Sequence, residues 1–541
     1  MTKVRVACAQ LVARDLDEHE RALEEAVAAV AEAAAIGAGL VVLPECSYPA
    51  YLLADPAADV RLVPDAEVEQ RFGAAATERG IWLAVGLAQG WQPGARSARN
   101  AALLFGPDGT VHLRSAKRLL WDFDSRWFAP GDRADPIRWP DATDDDGSSI
   151  GMLVCADARM PEVARSLAVG GARLILDPTA WVATGRETAS LQNLQPEYLM
   201  SVRALENGVW IAAADKVGME RGAVVYAGQS CVIASDGSVA AMASTDEPEI
   251  VWADIDLAAA TGPPVPRRPE LYGPISAPYA SSEAATRVAT PVDAGASAVR
   301  LGLLQSRSPM DAAALGSRFA DLRTTARALR LGIVAAAVTA DASEAASLAR
   351  SVSGDLDAVS AIAATDEPGR ITALHVSAGG AEAIAGRTHG SRADPEGMLD
   401  ARTSDVGPLR IGVVVGPEGL VPEVSRIVTL QGAELLLWAA DADTPRPLEV
   451  ARVRAVENRV WVGIIVPSRS STEMDEPLSA LVDPDGRVVA IGLRGRDHLV
   501  AGTVNVAMAR LKQMAPGTDV LQGRQPESYT ILTDVPSAMR S

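Results

Sequence analysis

Short apolar runs alternate with amphipathic stretches through the first half of this chain. VRVACAQ, GLVVLPE and IWLAVGLAQ have strand length, while EHERALEEAVAAVAEAAAIG and EVEQRFGAAATERG between them have helical patterning, the first helix being expected to end near Gly37. Strand-length runs separated by amphipathic helices predict an α/β layered domain. FGPDGTV and ASDGSVA set Asp-Gly between apolar runs, a hairpin signature, so a mixed sheet is expected rather than a purely parallel one.

The same pattern then returns. IGMLVCADARMPEV from Ile150 recurs as IGVVVGPEGLVPEV from Ile411, GARLIL as GAELLL, RALENGVW from Arg203 as RAVENRVW from Arg454, SDGSVA as PDGRVVA, and RRPELY from Arg267 as RQPESY from Arg524. VRVACAQ is echoed by VRLGLLQ from Val299, and the order is kept throughout. The reading is two tandem domains, 1–278 and 295–541, joined by a Ser-, Ala-, Pro- and Thr-rich linker at 279–294. AGRTHGSRADPEGMLDARTSDVG, inside the second copy, reads as an exposed loop. With 541 residues the chain exceeds one ordinary core, which fits the division.

Composition narrows the function by exclusion. A net charge of −19 disfavours nucleic acid and anionic membrane as partners. The opening MTKVRVACAQ lacks the basic and apolar regions of a secretory signal, and no apolar stretch approaches the roughly 20 residues that span a bilayer, so a cytoplasmic protein is expected. Cys8, Cys46, Cys155 and Cys231 show no CxxC spacing, which fits neither a disulfide framework nor a zinc site. Five scattered histidines give a His-based triad or metal centre little to build on.

Three residues stand at places where chemistry is expected. Cys155 follows the run IGMLV and precedes a helical pattern with Pro161 in its first turn, a strand-to-helix turn that favours a thiolate; a packed core cysteine is the alternative. Glu45 ends GLVVLPE, where a carboxylate is either a structural, hydrogen-bonded group or a base of raised pKa. Lys117 is one of four lysines in a chain that otherwise uses Arg, which suggests a need for a compact ammonium; Lys3, Lys216 and Lys512 read as surface lysines. Cys8, Cys46 and Cys231 read as packing.

Taken in order, VRVACAQ, LPE at Glu45, NAALLF from Asn100, Lys117, FAPG at Phe128, CADARMPE from Cys155, GARLILDPTAW, RALENGVW, YAGQSCVIASDG and RRPELY resemble the nitrilase, or carbon-nitrogen hydrolase, superfamily over roughly the first 275 residues. The resemblance implies an α-β-β-α sandwich in each half, two of which usually pack as a pair, here an intramolecular pseudo-dimer with further homo-oligomers open. It implies Glu45 as general base, Cys155 as nucleophile, and Lys117 with the Ala156 N–H as stabilisers of the tetrahedral intermediate, without cofactor or metal. The family's second glutamate is replaced by Asp124, an accessory candidate whose alternative is a solvated loop residue. Ala156 and Asp157 after the nucleophile look like the amidase and carbamoylase branches, so a small amide or carbamoyl substrate is favoured over a nitrile. Arg159 sits where some relatives hold a substrate carboxylate, but a structural ion pair, with Glu162 as the available acid, is the reading preferred over an anionic substrate. Trp121, with Phe123, Trp127 and Phe128, reads as pocket wall or interface anchor, and Trp181 as pocket lining. In the second copy Gly416 replaces Cys155, no cysteine remains and LGIVAAAVTA replaces LVVLPE, so a degenerate, non-catalytic domain is expected. Nitrilase or acyltransferase chemistry at the same site, and a non-catalytic binding protein, are the competing readings.

Overall fold

A computed structural model describes residues 3–53, 60–92, 96–139, 149–185, 187, 191–292, 297–306, 312–339, 358–364, 371–377, 380–386, 388–389, 399, 402–466 and 478–535. The chain divides into two compact units, Met1–Pro264 with Ala515–Thr518, and Val265–Met514 with Asp519–Ser541.

In the first unit, β1 (Lys3–Val12) is followed by α1 (His19–Ala35), β2 (Leu40–Val42), α2 (Asp65–Arg79), β3 (Trp82–Gln89), β4 (Arg99–Phe105), β5 (Val111–Ala116), β6 (Ile137–Arg138), β7 (Ser149–Met152), α3 (Pro161–Val169), β8 (Ala172–Pro178), α4 (Met200–Asn207), β9 (Trp210–Ala214), β10 (Lys216–Val217), β11 (Met219–Glu220), β12 (Val224–Val225), β13 (Cys231–Ile233), β14 (Val239–Met242) and β15 (Glu249–Asp256). β1, β2 and β3 run parallel, with β15 antiparallel beside β1 and the β4–β5 hairpin beyond β3. The second sheet runs β14-β13-β9-β8-β7-β6, with β7, β8 and β9 parallel. Both Asp-Gly fragments close hairpins and both sheets are mixed, as expected.

Alternation along β1 explains the layers. Ala7 and Ala9 join Leu23, Ala26 and Val30 of α1 and Phe72 and Ala76 of α2, while Cys8 points the other way, its thiol 3.5 Å from the Cys231 carbonyl of the second sheet. The inner faces meet where β2 and β3 pack on β8, and α3 and α4 cover the second sheet. The result is an α-β-β-α sandwich. α2 and α4 stop at Gly80 and Gly208, whose φ of 63° and 59° is the left-handed cap that glycine adopts without a Cβ penalty.

The second unit repeats this topology. β16 (Ala298–Gln305), β17 (Ile333–Thr339), β18 (Ala358–Ala364), β19 (Ile371–Ser377) and β20 (Gly380–Gly386) form one sheet, which β27 (His498–Asn505) completes beside β16. β21 (Thr403–Val406), β22 (Leu409–Val415), β23 (Leu435–Ala439), β24 (Trp461–Ile465), β25 (Ala480–Val482) and β26 (Val488–Ile491) form the other in sequence order. Strand order and direction match those of the first unit, which adds β10 parallel beside β1. The repeated motifs do the same work in each: Gln10 bonds the carbonyls of Ser244 and Glu247, and Gln305 those of Leu493 and Arg496.

Several sequence expectations differ from the structure. The units divide at Pro264 rather than at 278, so RRPELY lies in the second unit, where the Arg267 guanidinium bonds Glu423 at 3.1 Å. Part of the stretch read as linker is the helix Glu283–Ala289; Ser282 caps it and its Arg287 bonds Glu434 at 2.8 Å, so Ser and Ala act there as helix residues rather than spacer. Lys216 and Lys512 are buried, not surface residues. Lys512 donates to the carbonyls of Asn458 and Arg459, and burial pushes its ammonium down to about 7. Of the polar stretch 385–407, residues 387, 390–398 and 400–401 lie outside the described residues, and Thr403–Val406 is a strand. Among the described residues no helix is long and apolar enough to cross a membrane.

Gly86 of β3 lets the turn after β2 lie flat on the sheet, since a Cβ there would stand 2.5 Å from both Glu45 Cα and the Pro44 carbonyl oxygen. Gly86→Ala is expected to cost about 1–3 kcal/mol in urea unfolding, as overpacking does; an unchanged midpoint would show that the turn moves aside freely.

Candidate active site

The turn after β2 carries Glu45. Its amide donates to the Thr179 carbonyl at the end of β8, and Gly86 of β3 donates to the Pro44 carbonyl, so the turn is fixed to both sheets. Glu45 is fully buried. Its Oε1 accepts from Lys117 Nζ at 2.8 Å and from Asn100 Nδ2 at 2.5 Å, while Oε2 is buried without a partner. Burial raises the Glu45 pKa; Lys117 opposes this and the charge of Asp124 adds to it.

Lys117 follows β5, its amide held by the Asn100 carbonyl at 2.8 Å. Its ammonium lies between Glu45 and Asp124, 2.7 Å from Asp124 Oδ2, with all three side chains fully shielded from solvent. Burial alone would lower the Lys117 pKa, but Asp124 and then Glu45 outweigh it and hold the group well above its ordinary range. Asp124 is therefore a buried partner of the lysine, not a solvated loop residue. The same Oδ2 accepts the Trp121 amide at 2.8 Å. Within this unit Thr518 closes the loop, accepting the Asp122 amide at 2.8 Å and donating to the Leu120 carbonyl at 3.0 Å.

Cys155 follows β7 at φ 50°, the start of a short turn, Cys155–Arg159, that precedes α3. Its amide donates to Asp177 Oδ1 at 2.6 Å and its carbonyl accepts from Gln195 Nε2 at 3.0 Å. Asp157 ties this turn to the lysine strand: one oxygen accepts the amides of Arg118 and Leu119, the other that of Val154. Arg203 of α4 donates to the Ala158 carbonyl at 2.7 Å and pairs with Glu206 at 2.6 Å, which gives RALEN its structural role. The strand-to-helix turn was expected to favour a thiolate. Instead burial pushes the Cys155 thiol well up, Glu45 adding to the rise and Lys117 opposing it, so the resting group is a neutral thiol.

Tyr51, Trp121, Cys155, Ala156, Arg159 and Trp181 line one opening of about 270 Å³. Arg159 does not pair with Glu162. Its Nε donates to Gln195 at 2.9 Å and its guanidinium lies 4.4 Å from the Trp121 ring centre, with no carboxylate partner among the described residues; burial pushes its pKa down to about 10. The indole N–H of buried Trp181 has no partner. Phe123, Trp127 and Phe128 pack beneath Tyr51 in one apolar cluster. Sequence reasoning missed Asn100, Asp177 and Gln195, each of which bonds a site residue; Asn100 and Asp177 stand in runs quoted for their pattern, and a polar residue inside a buried strand was the available signal. Among the described residues no group of three His, Cys, Asp or Glu side chains is arranged to hold a metal ion.

The corresponding turn of the second unit keeps the backbone and loses the chemistry. Gly416 has φ 57°, Arg454 donates to the Gly419 carbonyl at 2.9 Å and pairs with Glu457 at 2.6 Å, and Glu418 accepts the Val415 amide as Asp157 does that of Val154. Trp438, in the register of Asp177, donates to the Gly416 carbonyl at 2.9 Å, so an indole occupies the place of the carboxylate.

An α-β-β-α sandwich with a buried carboxylate, ammonium and thiol at one end defines a class of protein, and comparison with known proteins gives the family. The carbon-nitrogen hydrolase family model matches residues 5–262. Omega-amidase NIT2 of Homo sapiens is 30% identical over 48% of this chain and 90% of its own length, and a nitrilase of Pyrococcus abyssi is 30% identical over 47% and 90%. The crystal structure of an amidase from Nesterenkonia sp. aligns at 30% identity over 47% of this chain and 90% of that one, with a TM-score of 0.39. The chain belongs to the carbon-nitrogen hydrolase family.

Asp124→Ala is expected to cost about 3 kcal/mol in unfolding of the first unit followed by tryptophan fluorescence, the low end for stripping a buried ion of a partner, because Glu45 remains. A loss under about 1 kcal/mol would mean that Lys117 does not depend on Asp124.

Proposed function

We propose that the first unit is a cysteine amidohydrolase that cleaves a non-peptide C–N bond of a small amide or N-carbamoyl substrate through a thioester. The observation that carries this reading is the division of labour on Glu45: Oε1 is occupied by Lys117 and Asn100, while Oε2 is buried and free. A neutral thiol and a carboxylate of raised proton affinity suit a transfer in which Glu45 takes the Cys155 proton only as the thiolate attacks the amide carbon. The oxyanion then falls to Lys117 Nζ and the Ala156 N–H, which has no partner in the described structure. Glu45 returns the proton to the departing ammonia or amine, and then activates the water that hydrolyses the thioester. Lys117, already held as a cation by two carboxylates, needs no change of charge in the cycle.

The terminal nitrogens of Arg159 make no hydrogen bond among the described residues, and Arg159 shares the opening with Cys155 and the unpartnered Trp181 N–H. A buried guanidinium without an acid supports a substrate with a carboxylate away from the scissile bond. The omega-amidases among the relatives support an amide, and the nitrilase of Pyrococcus abyssi at the same identity keeps nitriles in the substrate panel. The second unit, with matching topology, Gly416 for Cys155 and Trp438 for Asp177, reads as a degenerate tandem duplicate without catalysis of its own.

Ammonia release is to be measured on neutral amides, amides of dicarboxylic acids, carbamoyl amino acids and nitriles. Activity is expected on acidic amides or carbamoyl amino acids and is expected to vanish in Cys155→Ala; release that survives the substitution would overturn the reading. Arg159→Met is expected to raise KM for the acidic substrates tenfold or more and to leave neutral amides within about threefold, since a desolvated charge-assisted bond is lost in the first case only. Equal losses on both would remove the carboxylate role.

The pH dependence has a definite sign. The base form of Glu45 is lost as pH falls through its raised pKa, so the acid limb of kcat/KM is expected above the ordinary glutamate value of 4.5. A limb at or below that value would contradict Glu45 as the base.

A further inference from the structure

The first unit buries a second lysine that the proposed chemistry does not use. Lys216 begins β10, beside Leu11 of β1, and is 4% exposed. Its Nζ donates to the Cys46 carbonyl at 3.0 Å and lies 3.9 Å from Glu220 Oε2. Glu220, fully buried, accepts the Leu52 amide on Oε1 at 2.5 Å and the Tyr226 hydroxyl on Oε2 at 2.7 Å. The Tyr226 ring packs edge-on to Tyr51, with centroids 6.3 Å apart.

These contacts fall at the two ends of one segment. Cys46 follows Glu45 and has φ 46°, a left-handed conformation that a cysteine adopts only when its surroundings impose it. Leu52 follows Tyr51, which lines the opening and whose ring centre lies 5.5 Å from Lys117 Nζ. Lys216 therefore holds the segment where the carboxylate leaves it, and Glu220 where the pocket tyrosine leaves it. The ion pair links both points across four residues of the chain. An ammonium satisfies two roles here that an apolar side chain of equal length cannot, donating to a strained carbonyl and neutralising a buried carboxylate.

We infer that Lys216 and Glu220 are positioning residues that fix the segment from Glu45 to Leu52, and with it the placement of the Glu45 carboxylate. The inference rests on the reading of Glu45 as the base. The Cys46–Ser47 peptide has two anchors, the Ser47 amide on the Gly86 carbonyl at 2.8 Å and the Cys46 carbonyl on the Lys216 ammonium at 3.0 Å, and loss of the ammonium leaves the residue after Glu45 held on one side only. Lys216 touches no reacting atom, so its removal acts on proton transfer rather than on substrate binding.

Lys216→Met, Glu220→Gln and Glu45→Gln are to be compared with the unaltered full chain in two measurements. One is the rate at which iodoacetamide alkylates Cys155, located by peptide mass mapping, which needs no knowledge of the substrate. The other is kcat and KM on the best amide of the panel above. Lys216→Met is expected to slow alkylation and kcat about tenfold while KM stays within about threefold; Glu220→Gln, which keeps an acceptor for Leu52, is expected to slow both about threefold. A folded Lys216→Met with unaltered alkylation and kcat overturns the inference. If Lys216→Met does not fold, Glu220→Gln decides, and unchanged rates there overturn it equally. Glu45→Gln separates the two layers of the argument: if it alkylates as fast as the unaltered protein, Glu45 is not the base and the positioning role falls with it. If Glu45→Gln is slow while Lys216→Met is not, the positioning role alone fails.

Discussion

One cation shared between two carboxylates, all out of contact with water, is the constraint on which the first unit is built. Lys117 touches Glu45 and Asp124 at 2.8 and 2.7 Å, and the three come from the end of β5, the turn after β2 and the loop beyond the lysine. No local sequence preference holds such a group together. Burying any one of these charges alone is costly, so each side chain is tolerated only in the folded arrangement that supplies the others. The same burial raises the proton affinity of Glu45, with Lys117 opposing the rise and the charge of Asp124 adding to it. The burial that makes the cluster costly is thus also what shifts the proton affinity of one of its members.

The rest of the scaffold removes freedom from that cluster. Asp157 spans from the cysteine turn to the amides after Lys117, Asp177 holds the cysteine amide, Asn100 holds both the lysine amide and the glutamate, and Arg203 clamps the Ala158 carbonyl. Most of these bonds run from side chain to backbone, while Asn100 holds the lysine amide through its own carbonyl and the Glu45 carboxylate through its side chain. The second unit retains many of them, with Arg454, Glu457 and Gln305 repeating their counterparts, and has exchanged the charged groups at the turn. What recurs in the sequence is therefore the framework, and what fails to recur is the group that needed it.

This division explains how much could be read from the chain. Strand and helix order follow from the alternation of apolar and amphipathic runs, and Glu45, Lys117 and Cys155 stand out because each closes or follows a strand. Asp177 and Asn100 lie inside strands, where an apolar run with one polar residue gives no hint of which backbone amide or carboxylate the side chain will meet. Lys216 shows the limit of an argument from composition: the scarcity of lysine singled out Lys117, yet the same scarcity applied to Lys216, which a surface reading dismissed. Arg159 had a plausible acid three residues on, and only the fold shows its guanidinium directed at Gln195 and Trp121 instead. The Ser- and Ala-rich stretch near 283 was read by composition as spacer, whereas a cap at Ser282 and an ion pair at Arg287 decide that it is helical.

The two turns that carry Glu45 and Cys155 also share a backbone feature that bears on function. Cys46 and Cys155 have φ of 46° and 50°, a conformation that costs a non-glycine residue on the order of 1–3 kcal/mol. In the second unit the residue in the place of Cys155 is Gly416, with φ 57°, which glycine adopts without that cost. The turn itself is needed in both units, because the strand before it and the helix after it pack alike. The strained side chain is present only where the buried carboxylate and ammonium are present too. Strain at Cys155 is then explained by the thiol, not by the fold: a glycine makes the same turn, as Gly416 does, and the sulfur is the one thing it cannot supply.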